Sequence, residues 1–68
     1  MSDVSKMANF LADVADHYNH NHDSDMAEGE LRATLRFIES MGHEANFVNP
    51  NGMIVKVSVD DQEVFIPT

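Results

Sequence analysis

The sequence predicts a single two-layer α+β domain over residues 1–68, with two N-terminal helices packed on one face of a three-stranded antiparallel β-meander, in the order ααβββ. Three features predict it. Apolar residues recur at helical spacing in two stretches before Gly42, and at alternate positions after Ala45. Two turn signals, at residues 49–52 and 60–61, divide the second region. Both independently send Val55 and Val57 to the same sheet face.

The first helix is expected over about residues 3–18. Val4, Met7, Leu11, Val14 and Tyr18 follow steps of three and four, and Phe10 and Ala15 widen the stripe. Ser2 or Asp3 can cap its start. The run "NHNH" at residues 19–22 should then break it, because asparagine favours caps and turns over helix interiors.

The second helix begins near Asp25, where Asp25 and Glu28 have the spacing of a capping box. Its apolar face is read as Met26, Leu31, Leu35 and Ile38, shared by Thr34, with Ala33, Phe37 and Met41 to one side. Glu28 and Arg32 form a favourable i,i+4 pair. Gly42 is placed to end the helix in a left-handed conformation.

In "NPNG" at residues 49–52, Pro stands at the second turn position and Gly where a positive φ is needed, which suits a type I turn with a bulge. The implied register sets Phe47 opposite Val55 and Ala45 opposite Val57. A two-residue loop at Asp60 and Asp61 sets Val57 opposite Val64 and Val55 opposite Ile66. The inner face is then Phe47, Val55, Val57, Val64 and Ile66. By alternation Val48, Ile54, Lys56, Ser58, Glu63 and Phe65 point outward. Val48, Ile54 and Phe65, with Lys56 beside Phe65, make an apolar cluster with a charged rim, as a contact surface for a target protein or a second copy would.

Composition narrows the function classes. There is no cysteine, which excludes disulfides, thiolate-held zinc and a thiol nucleophile. At 43% apolar the chain is too hydrophobic to stay disordered, despite a net charge of −8. No apolar run nears the roughly 18 residues of a membrane span. The opening "MSDVSKMANF" lacks the basic start and apolar stretch of a signal peptide, so a cytoplasmic location is expected, in a host cell if the protein is viral. Twelve acids against four bases oppose direct binding to nucleic acid or an anionic membrane. No Lys or Arg lies between Lys6 and Arg32, a window that holds Asp13, Asp16, Asp23, Asp25, Glu28 and Glu30. These six form a candidate partner-binding acidic patch.

The same window is rich in histidine. His17, His20 and His22, with Asp23 or Asp25, could supply ligands to a divalent metal, though the spacing follows no zinc signature. Histidines near a helix C-terminus also complement its dipole without any metal. Counted as a loop of twelve, residues 19–30 resemble an EF-hand calcium loop. Asn19, Asn21, Asp23 and Asp25 take the first four ligand positions, Glu30 the last, and Met26 the hydrophobic one. Asn19 replaces the leading Asp of that pattern, and Ser24 its glycine. Calcium binding is what this resemblance implies.

No phosphate-binding glycine loop or nucleophile constellation is present, so no enzymatic activity and no cofactor are expected. A helical pair followed by a hairpin could suggest a winged-helix DNA binder. Arg32 and Arg36 on the second helix are offset by Glu28, Glu30 and Glu39, which argues against it. The sequence therefore points to a small acidic protein-interaction module, with divalent-metal binding through residues 17–30 as the alternative. In composition it resembles the small inhibitors that phages make against host proteins and nucleic-acid-binding complexes, anti-CRISPR proteins and nucleic-acid mimics among them. The partner expected is another protein, itself a nucleic-acid binder on this resemblance.

Overall fold

The computed structural model describes residues 2–21 and 23–67. Helices α1 (Asp3–His20) and α2 (Asp25–Ser40) precede strands β1 (Ala45–Val48), β2 (Lys56–Val59) and β3 (Gln62–Phe65). The sheet is antiparallel in the order β1-β2-β3. Helix α1 packs against α2, β2 and β3, while α2 also meets β1, so one core lies between the helical layer and one sheet face. This is the ααβββ architecture expected.

Serines cap both helices. The Ser2 hydroxyl accepts the Ser5 N–H at 3.1 Å, and the Ser24 hydroxyl accepts the Ala27 N–H at 3.3 Å. The second cap therefore lies one residue before the expected Asp25, and Asp25 and Glu28 fall in the first turn instead. There they complement the positive end of the helix dipole. Helix α2 ends as anticipated. Gly42 has φ +88°, its N–H donates to the Glu39 carbonyl, and the His43 N–H reaches back to Ile38. That pair of bonds is a Schellman ending.

Alanines and one asparagine set the buried face of α1. Ala8, Leu11, Ala12, Val14, Ala15 and Asn19 are buried, with Val4, Met7 and Tyr18 packed at their margin. Phe10, expected to widen this stripe, is exposed. The small side chains let the helix approach its neighbours closely, and the large ring is left outside. On α2, Ala27, Leu31, Thr34 and Ile38 are buried, and Leu35 is partly so. Met26 is 85% exposed, which corrects its assignment to the core. The step from residue 26 to residue 31 is five, about 140° away from the face on a helix of 3.6 residues per turn. Ala27 holds the right phase.

The β1–β2 register is shifted by two from that expected. Phe47 pairs with Val57 and Ala45 with Val59, so the proposed pairs Phe47–Val55 and Ala45–Val57 do not form. A slip of two keeps every strand side chain on its face, so the inner assignments of Phe47 and Val57 hold. The second hairpin has the expected register, with Val57 opposite Val64 and the Ile66 N–H bonded to the Val55 carbonyl.

The two extra residues are spent on Ile54. The turn at residues 49–52 does close, through the Gly52 N–H to the Asn49 carbonyl, with Gly52 at φ +83°. The chain then stays irregular until the Val55 N–H meets the Val48 carbonyl. In that stretch Ile54 turns inward and is fully buried, not outward as alternation implied. Burying the side chain is worth about 2 kcal/mol. It also buries an N–H and a C=O outside any ladder. Asn19 satisfies both: its Nδ2 donates to the Ile54 carbonyl and its Oδ1 accepts the Ile54 N–H, each at 2.8 Å. Asn19 thus lies inside the last turn of α1 and does not break the helix.

Asp60 ties the second hairpin to the end of α2. It is the one non-glycine residue at positive φ (+54°) among those described. Its N–H donates to the Glu44 carbonyl, and its carboxylate accepts the Glu44 N–H and the His43 Nδ1–H. The backbone bond from Glu44, and then that from His43, hold its carboxyl below the ordinary 3.8. A lowered carboxylate stabilises the fold above its unfolded pKa, and that contribution is lost as the pH falls through the folded value.

Two outcomes follow for stability. Asn19→Ala strands two buried backbone groups and should cost about 3 kcal/mol, lowering Tm by on the order of 15 °C in a thermal melt. A fall of under about 5 °C would show that the bridge is not a main support. Asp60→Asn keeps the tolerance for positive φ but removes the charge. Melts of the wild type should lose stability as the pH falls below 3.8, and the variant should show a shallower loss there. Equal slopes would refute the clamp.

Candidate functional site

The sheet's outer face is set by the pairing itself. Val48, Lys56 and Phe65 stand side by side across the three strands, and Asn46, Ser58 and Glu63 form the next row. No helix covers these rows, since both helices pack on the other face. Phe65 is 72% exposed, and Val48 and Met53 are also open to solvent. Ile54, proposed for this surface, belongs to the core and is removed from it.

Lys56 organises the row. Its Nζ lies 5.9 Å from the centroid of the Phe65 ring and donates to Glu63 Oε2 at 3.1 Å. The Lys56–Glu63 pair is too exposed to add much stability; pairs of this kind contribute less than about 1 kcal/mol. Its effect is positional. The ammonium lies over the ring and is tied to Glu63 beside it. An aromatic with an adjacent charge, restrained before contact, loses little entropy on binding.

The acidic residues are spread over both helices and the link between them. Asp13 and Asp16 lie on α1, Asp23 in the link, and Asp25, Glu28 and Glu30 in the first half of α2. Glu28 is paired with Arg32 at 3.0 Å, so the patch is partly neutralised from within. Asp13, Asp23, Asp25, Glu28 and Glu30 are exposed and Asp16 is half-buried.

The histidine-rich segment is not a twelve-residue loop. Residues 19 and 20 end α1, and residues 25–30 are already α2. Both polar atoms of Asn19, the leading position of the EF-hand pattern, are committed to Ile54. The short link is tied by Asn21, whose Nδ2 donates to the His17 carbonyl and whose own carbonyl accepts the Ser24 N–H. His20 turns its Nδ1–H onto the Asp16 carbonyl at 2.8 Å. Among the described residues no three His, Asp or Glu side chains are grouped to hold a metal ion. His22 lies outside the described residues.

The sequence reading passed over Asn19 as a structural residue. One signal could have found it: Ala8, Ala12, Ala15 and Asn19 continue a single series of four- and three-residue steps. Comparison with known protein families, characterised proteins and solved structures finds no match to this chain.

A melt separates metal binding from the interaction surfaces, because a ligand held only by the folded state raises Tm. Zn²⁺, Ca²⁺ and EDTA should each leave the Tm unchanged. A rise of several degrees with either ion, lost in His17→Ala/His20→Ala, would establish a metal centre.

Proposed function

We propose that the protein is a non-enzymatic interaction module that grips a target protein with the open face of its sheet. The observation that carries this reading is Phe65: a large aromatic, 72% exposed, held beneath Lys56, with Val48 on the far side of the lysine in the same row. Exposed aromatics with a charged rim are the usual anchors of small protein interfaces. A single exposed apolar residue would be ordinary. Here the row runs the full width of the sheet.

The acidic window supplies the second half of the proposal. Asp13, Asp16, Asp23, Asp25, Glu28 and Glu30 repel phosphates and suit a basic groove, such as one a target uses for nucleic acid. Inhibition of such a target by occupying its groove is the role of the phage proteins that this chain resembles in composition. On this reading the sheet face provides affinity, and the acidic window provides speed and choice of partner.

The test is binding to a target captured with the wild type. Phe65→Ser should melt within a few degrees of wild type and lose roughly tenfold or more in affinity. If it unfolds instead, Phe65 is structural and the sheet-face reading fails. In the same assay Asp23→Asn/Asp25→Asn/Glu28→Gln should slow association and flatten its salt dependence. Salt-independent association of both proteins would remove the acidic half.

A further inference from the structure

We infer that the outward face of α2 is a self-association surface, on which a second copy of the chain docks antiparallel. The inference is independent of the sheet face, because it rests on the opposite side of the helical layer. Ala33, Phe37 and Met41 succeed one another at steps of four, which places them along one side of α2. All three are exposed, Phe37 at 64% and Met41 at 50%. With the two arginines, Gly29 and Ser40, Ala33 and Phe37 line a shallow, open depression of about 610 Å³. The Ser40 hydroxyl is turned back onto the Phe37 carbonyl at 2.7 Å, so it presents little that needs water. Small residues on a helix let another helix come close.

Gly29 fits this use and no internal one. Its φ is not in the left-handed range, and a Cβ built there would meet nothing within 4 Å. A helical glycine costs about 1 kcal/mol relative to alanine. Nothing within the chain requires that cost.

Charge selects the occupant. Arg36 stands near Glu39 on this face, while Arg32 is already paired with Glu28 within the chain, so the face carries both signs and complements itself under a two-fold. A two-fold axis between Arg36 and Glu39 brings Arg36 of each copy to Glu39 of the other. It also sets Phe37 against Phe37 and Ala33 against Ser40. A parallel pairing turns the arginine flank toward Phe37 and Met41 and makes no such ion pairs. The contact is isologous, as two-fold dimers require. Sixteen residues make α2 about 24 Å long, so the interface is of the small, transient class.

Sedimentation equilibrium up to about 1 mM protein covers the range in which such an interface associates. Wild type is expected to form dimers, and Phe37→Ser to stay folded while its dissociation constant rises roughly thirtyfold. Glu39→Arg should also weaken the dimer, and Arg36→Glu/Glu39→Arg should restore it. Gly29→Leu should raise the monomer Tm, since it adds helix propensity in open space, and yet oppose association. A wild type that stays monomeric at the highest concentration overturns the proposal. So does a dimer that survives Phe37→Ser, or a charge-swapped double variant that fails to recover while remaining folded. Phe65→Ser leaves this dimer intact, so loss of target binding and loss of self-association are read separately.

Discussion

Two hydrogen bonds of one side-chain amide let the apolar core between the layers take in the Ile54 backbone. Asn19 stands at the last turn of α1 and treats the Ile54 backbone as a neighbouring strand would, donating to its carbonyl and accepting its N–H. Without that partner, burial of Ile54 would leave two backbone groups unsatisfied, at a cost that cancels the gain from its side chain. With it, the connection between β1 and β2 can run irregularly through the core. The register of the first hairpin, the length of its loop and the composition of the outer sheet face all follow from this one accommodation.

The elements that could be read from residues alone are those in which local chemistry decides. Gly42 ends α2 because left-handed backbone is cheap only for glycine. The two-residue loop at Asp60 and Asp61 leaves no freedom in the second register. The inner face survived a register shift because a slip of two preserves parity. The failures have a common cause: a tertiary partner overrode a local preference. Asparagine near a helix end favours a turn, but Asn19 has a distant backbone to bind. Alternation sends Ile54 outward only if residue 54 is in a strand, and the looped-out pair takes it from the ladder. Met26 was misplaced for a simpler reason, a five-residue step accepted where helical phase allows three or four.

Of the candidate surfaces, the sheet face kept Val48, Lys56 and Phe65 and lost Ile54; the Lys56–Phe65 pairing could be derived from the second hairpin, but Val48–Lys56 belongs to the first, whose register the turn residues misplaced by two. The lysine bridging Phe65 and Glu63 could not be derived, because it depends on side-chain conformation. The acidic window remains exposed apart from half-buried Asp16, with its positive balance supplied by α2 itself through Arg32. Acid and aromatic surfaces therefore belong to different layers, and either can be altered without disturbing the other.

The Asn19–Ile54 bridge also bears on the order of folding. It joins residues 35 apart, enclosing α2 and β1 within the loop it closes. Closing a flexible loop of that length costs about 3 kcal/mol in chain entropy, roughly what the bridge returns. The bridge therefore gains little if it forms first. The second hairpin register and the helix caps are local and come at small entropic cost, so they precede it. Once α2 is formed and docked, the loop is short and stiff, and the amide finds its partners almost free of that penalty. The bridge works as a latch. A contact made that late slows opening more than it speeds assembly.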